Sequence, residues 1–128
     1  MIYLDSSVAL AHLIGEDRLP SVALWCERVV SSRLLEYEFW NRIHAYRLTH
    51  THSDEAFALL ARVTLTDLTP RILARALAPF PIPVRTLDGL HLATIEYLRA
   101  GGDDVELASF DRRLVAGAQA LGVAIFAL

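Results

Sequence analysis

The sequence predicts an α/β fold: a parallel sheet of four to five strands flanked by helices. Three observations predict it. Short apolar runs of strand type alternate with segments whose apolar residues recur at helical spacing, and strands that alternate with helices form parallel sheets covered on both faces. The opening run leads straight into residues that start a helix, as in "MIYLDSSVAL". Helical segments close on Gly15, on Gly101 and Gly102, and near Gly122, the residue type that suits a C-terminal cap.

Taken in order, "MIYL" is a strand and "DSSVALAHLIG" a helix, and "EDRLP" makes a turn. Ser21 to Val30 has helical spacing, with strand character around Val29 to Ser32. "RLLEYEFWNRIHAYRL" is a long helix by periodicity. In "THTHSDEAFALLARV", Ser53 is an N-cap candidate, with Asp54 and Glu55 in the first turn. "VTLTDL" alternates β-branched and polar residues as a strand does, and "TPRILARALAPF" begins with the threonine and proline that open helices. After the "PIPV" loop come a helix over Thr86 to Ala100, the strand "VELASF", the helix "DRRLVAGAQALG" and a last strand in "VAIFAL".

Length and composition bound the function. With 128 residues, 54% of them hydrophobic and 21% charged, the chain suits a single domain over residues 1–128 with a real core. Its apolar runs fall short of the roughly 20 residues a bilayer span needs, and "MIYLDSS" carries no basic leader. These features predict a cytoplasmic location and no membrane partner. Cys26, the one cysteine, sits in "VALWCERVV", where a buried thiol is expected. All 12 basic residues are arginine, which excludes Schiff-base lysines and P-loop phosphate binding. The net charge of -3 argues against nonspecific coating of nucleic acid, yet leaves room for an enzyme that meets phosphates through a metal.

The acids carry the chemistry. In open parallel sheets ligands bind beyond the carboxyl ends of the strands, where strand order reverses. Asp5 ends the first strand, Asp111 follows "VELASF", and Asp88 opens the helix before that strand. If the first strand is central, these three share a rim. The long helix offers Glu36 or Glu38, of which Glu38 is preferred because it lies on the face of Leu34, Arg42 and Ala45. Carboxylates that converge without histidine or cysteine repel one another unless a cation lies between them, and oxygen ligands suit magnesium or manganese. Helix capping is the simpler explanation for each acid alone, since Asp5 and Asp111 both precede helices. Capping does not explain why they fall on one rim.

At these residues the chain resembles the PIN-domain nucleases and, within them, the VapC-type ribonuclease toxins of toxin-antitoxin modules. The matching pieces are "MIYLDSSVAL", "SSRLLEYEFWNRI", "TLDGLHLAT" and "SFDRRLVAGAQALGV", whose order and spacing span essentially the whole chain. The resemblance implies a PIN-like, Rossmann-like sheet and an acidic magnesium or manganese site at Asp5, Glu38, Asp88 and Asp111, with Ser7 (or Ser6) and Ser109 in support. It implies a metal-dependent endoribonuclease that hydrolyses RNA phosphodiester bonds as a toxin, usually a homodimer, neutralised by a cognate VapB-type antitoxin. Gly89 departs from the alanine common after the third acid.

Other residues divide between roles. Arg112, Arg113 and Arg42 are candidate phosphate contacts, and Arg33 and Arg85 flank the same region. His91, one turn after Asp88, is placed to orient that carboxylate, to contact RNA or simply to pack. "HTH", His50 to His52, reads as a solvated turn. The rival function is a catalytically weak PIN-like module that binds RNA or protein; a phosphoacceptor domain would want a second acid by the first strand and a late lysine, and both are absent from the sequence.

Overall fold

The structure, a computed structural model, describes residues 1–15 and 18–128. The start of the expected "EDRLP" turn, Glu16 and Asp17, lies outside the described residues. The strands are β1 (Ile2–Leu4), β2 (Val29–Ser32), β3 (Thr64–Thr66), β4 (Glu106–Ala108) and β5 (Ala124–Ile125). The helices are α1 (Ser6–Ile14), α2 (Arg33–Ala45), α3 (Thr49–Leu60), α4 (Pro70–Leu77), α5 (Thr86–Ala100) and α6 (Arg112–Ala120).

The five strands form one parallel sheet in the order β3-β2-β1-β4-β5. Central β1 pairs Ile2 with Val29 on one side and with Glu106 on the other. The chain thus builds outward to β3, returns across the sheet and builds outward again to β5. Strand order reverses between β1 and β4, the place where such sheets bind ligands.

Alternation along β1 sorts the helices. Ile2 and Leu4 join a buried cluster with Val8, Leu10, Leu35, Phe39, Ile43 and Leu59, so α1, α2 and α3 cover that face. Tyr3 points the other way, into a cluster with Leu92, Ile95, Leu107 and Leu114 under α5 and α6. Each fully buried leucine or isoleucine contributes about 1.5–3 kcal/mol. Helix α4 braces α5 from outside, where Arg75 Nε meets Glu96 Oε2 at 2.5 Å. Among the described residues no helix is long and apolar enough to cross a membrane.

Local capping follows the sequence at most ends. Gly15 closes α1 in the left-handed region at φ 71°, and Thr69 caps α4 through the Ile72 N–H. Several local expectations fail. The helix expected over Ser21 to Val30 is only a 3₁₀ turn, Val22–Cys26, and the strand character at its end is β2 itself. Cys26 is therefore exposed, because a short turn has no continuous inner face to bury it. Helix α3 begins at Thr49, before Ser53, and the Ser53 hydroxyl donates back to the Thr49 carbonyl inside the helix. His50 to His52 accordingly lie in the first turn of α3. The long helix stops at Ala45, with Arg47 at φ 58° turning the chain toward α3.

Candidate active site

Asp5 follows β1, Asp88 lies in the first turn of α5, Asp111 precedes α6, and Glu38 projects from α2. All four line one groove of about 1120 Å³ at the carboxyl end of the sheet, together with Arg18, Tyr37, Arg42, Tyr46 and Arg85. Glu36 is absent from this lining and Glu38 present, as the helical face of Leu34 and Arg42 implies.

Asp5 is buried, at 5% exposure, and held by neutral donors. Its Oδ2 accepts from the Ser7 hydroxyl at 2.5 Å, the Ser109 hydroxyl at 2.8 Å and the Ser7 N–H at 3.3 Å. Each serine oxygen also accepts a backbone N–H from the segment that follows β4. Ser7 Oγ accepts the Phe110 N–H at 3.0 Å, and Ser109 Oγ accepts the Asp111 N–H at 2.9 Å. The two hydroxyls therefore lock the end of β1 to the end of β4.

Asp111 does cap a helix: its Oδ1 accepts the N–H groups of Arg113 and Leu114. Its Oδ2 pairs with Arg85 Nη2, while Arg85 Nε donates to Asp88 Oδ2 at 2.9 Å. Burial alone would raise the Asp111 carboxyl, but Arg85 and the two backbone donors prevail and hold it below its ordinary range. Capping and site geometry are thus served by different oxygens of one side chain.

Glu38 is tied to the core. His91 Nε2 meets Glu38 Oε1 at 2.5 Å, and His91 Nδ1 meets the Tyr3 hydroxyl oxygen at 2.8 Å. That oxygen also accepts the Ser32 N–H at 3.2 Å. His91 is 1% exposed. Burial opposes the charged ring, yet its contacts with Tyr3 and Glu38 outweigh the penalty and push its pKa up to about 10. His91 therefore orients Glu38, across the groove floor, rather than the neighbouring Asp88.

Among the remaining candidates, Arg42 joins the groove wall, whereas Arg112 lines a smaller adjacent cavity. Arg113 contributes its backbone N–H to the Asp111 cap. Arg33 pairs instead with Asp67 on the surface. Among the described residues, no group of three His, Cys, Asp or Glu side chains is arranged to hold an ion. Their oxygens are turned toward Arg85, His91 and the two serines. In donor chemistry the four carboxylates nevertheless fit a hard divalent cation, because they supply only oxygen and share one groove.

Sequence reasoning did not find two contacts. Tyr3 looked like an ordinary strand residue, and the Arg85 fork across Asp88 and Asp111 joins positions 26 apart. Their signals were present but weak: a tyrosine in a fully buried strand needs a partner for its hydroxyl, and an arginine three residues before an acid can pair with it.

The model of the PIN domain family matches residues 2–119. Ribonuclease VapC35 of Mycobacterium tuberculosis is 29% identical over 133 residues, covering 99% of this chain and 96% of that protein. Ribonuclease VapC46 of the same organism is 38% identical over 68 residues, 53% of this chain and 51% of its own. In fold, the chain is similar to a chain of a toxin-antitoxin complex from Klebsiella pneumoniae, with a TM-score of 0.68, 19% identity and 94% of each chain covered.

Proposed function

The chain belongs to the PIN domain family, and from that premise we propose that it is a metal-dependent endoribonuclease, the toxin of a toxin-antitoxin pair. The observation that carries the reading is the meeting of four carboxylates from four separate elements in one groove at the point where strand order reverses. Asp5, Glu38, Asp88 and Asp111 would hold magnesium or manganese. Bound there, the cation supplies charge neutralisation at a phosphate and makes water acidic enough to attack it.

The protein's own groups do the rest. Ser7 and Ser109 hold Asp5 without neutralising it, and His91 holds Glu38 in one orientation. Arg42 and Arg18 on the groove wall supply planar forks for backbone phosphates. Tyr37 and Tyr46, both exposed on the same wall, offer faces on which unpaired bases stack. That combination favours single-stranded or looped RNA. On this reading residues 1–128 act as one PIN domain, and a VapB-type antitoxin and a second copy of the chain are the expected protein partners.

The test is cleavage of total RNA by the purified protein with and without magnesium or manganese, alongside Asp5→Asn and Asp88→Asn proteins of verified fold. Metal-dependent cuts that vanish in both variants support the proposal. No cleavage with either metal, or equal cleavage by the variants, overturns it in favour of a binding module.

A further inference from the structure

We infer that Arg85 is a built-in counter-ion that competes with the divalent cation for Asp88 and Asp111, so that the site fills completely only when a phosphate draws the guanidinium away. This inference rests on the function proposed above. Arg85 stands immediately before α5, in extended backbone, and its side chain is about half exposed, at 49%. It joins two acids that no other side-chain cation contacts among the described residues.

The competition follows from which oxygens are spoken for. Asp111 Oδ1 is committed to the first N–H groups of α6, so Oδ2 is the oxygen available to a cation, and Arg85 takes it. At Asp88, Arg85 again takes Oδ2. A guanidinium and a divalent ion on the same oxygens would stand a few ångströms apart and repel. Arginine keeps its charge at any working pH, so it cannot relieve the conflict by losing a proton. It has to move. Half exposure makes its two ion pairs easy to break, and the planar fork that releases two carboxylates is the group suited to grip a phosphate.

The Asp5 end of the groove behaves differently, since serine hydroxyls there give way to a cation without charge conflict. An ion would therefore be recruited at Asp5 first and completed by Asp88 and Asp111 when substrate arrives.

Manganese binding, measured by calorimetry and by the resonance signal of free Mn²⁺, tests this without any cleavage step. Wild type, Arg85→Gln, Arg85→Lys and Asp5→Asn are compared, each with and without an uncleavable 2′-O-methyl oligonucleotide. Arg85→Gln is expected to bind Mn²⁺ roughly five- to tenfold more tightly than wild type, a coupling of ordinary size for two charged sites. Arg85→Lys, which keeps the charge but loses the fork, is expected to fall between them and serves as the second variant should Arg85→Gln fold poorly. The oligonucleotide should tighten Mn²⁺ binding more in wild type than in Arg85→Gln. Unchanged or weaker Mn²⁺ affinity in both Arg85 variants, with binding still lost in Asp5→Asn, overturns the counter-ion role and leaves the proposed function standing. Mn²⁺ affinity unaffected by Asp5→Asn overturns both, because the ion then binds elsewhere.

Discussion

One end of the groove holds its carboxylate with hydroxyls and the other with a guanidinium. Around Asp5, the half-buried Ser7 at the start of α1 and the buried Ser109 beyond β4 donate neutral hydrogen bonds, so the carboxylate is positioned and its charge survives. Around Asp88 and Asp111, Arg85 supplies position and neutralisation together, from a half-exposed side chain. The difference teaches that fixing an acid and keeping it electrostatically active are separable tasks. Neutral donors on rigid elements do both, while an arginine gives fixity at the expense of charge. Salt sharpens the contrast: it screens the exposed Arg85 pairs and leaves the buried serine contacts nearly untouched.

The largest break comes from removing charge at the hydroxyl end. If the proposed function holds, Asp5→Asn is expected to lower metal-dependent RNA cleavage by at least about a hundredfold, since losing a ligand would forfeit several kcal/mol of charge stabilisation; a gel assay on folded protein measures it. Next is Ser109→Ala, which leaves every acid in place but loosens Asp5. A fall of about 10- to 100-fold in metal affinity or cleavage is expected, as for other residues that orient a metal ligand. An unaltered rate would show that Ser7 alone holds Asp5.

The effect of pH comes third. In metal-free protein, His91 has a pKa raised from 6.5 to about 10, so its contacts with Glu38 and Tyr3 contribute stability that is full below about pH 6.5. That contribution is lost as pH rises through about 10. Urea melts at pH 6.5 and 10 should show wild type losing more stability than His91→Gln; equal losses would remove the charged histidine from the account. Asp111 runs the opposite way. Its lowered pKa gives stability above the ordinary carboxyl range that disappears on acidification, and Arg85→Gln should flatten that acid limb. The smallest effect lies outside both ends. A methyl added at Gly89 would meet Phe80 and Val84 at 3.5 and 3.6 Å, ordinary contact distances, so Gly89→Ala is expected to stabilise by up to about 1 kcal/mol in a thermal melt.

The sheet was legible in the sequence because its signal is periodic and repeated. Every strand-like run was followed by helical spacing, and the central place of "MIYL" made sense of Asp5 and Asp111 on one rim. The acid positions were legible for the same reason, since strand ends set them. What sequence could not convey were contacts governed by tertiary neighbours. Ser53 with Asp54 and Glu55 is a good helix start in isolation, yet Leu48 packs against the core and draws the first turn of α3 forward to Thr49. His91 and Glu38 are 53 positions apart, and their meeting depends on α2 and α5 converging from opposite faces of the sheet. Cys26 is exposed where its spacing predicts burial, because helical spacing over a few residues does not distinguish a 3₁₀ turn from a longer helix.

The Ser109 to Asp5 hydrogen bond joins residues 104 positions apart and has a consequence for how the chain comes into being. During synthesis Asp5, Glu38 and Asp88 emerge well before β4 exists to receive them. Central β1 waits for one of its two flanking strands until β4 follows, and so does the serine that steadies Asp5. Local helices can form early, but contacts of such long range close slowly and late. A growing or truncated chain therefore carries most of the acids without the arrangement that the proposed cleavage of RNA would need.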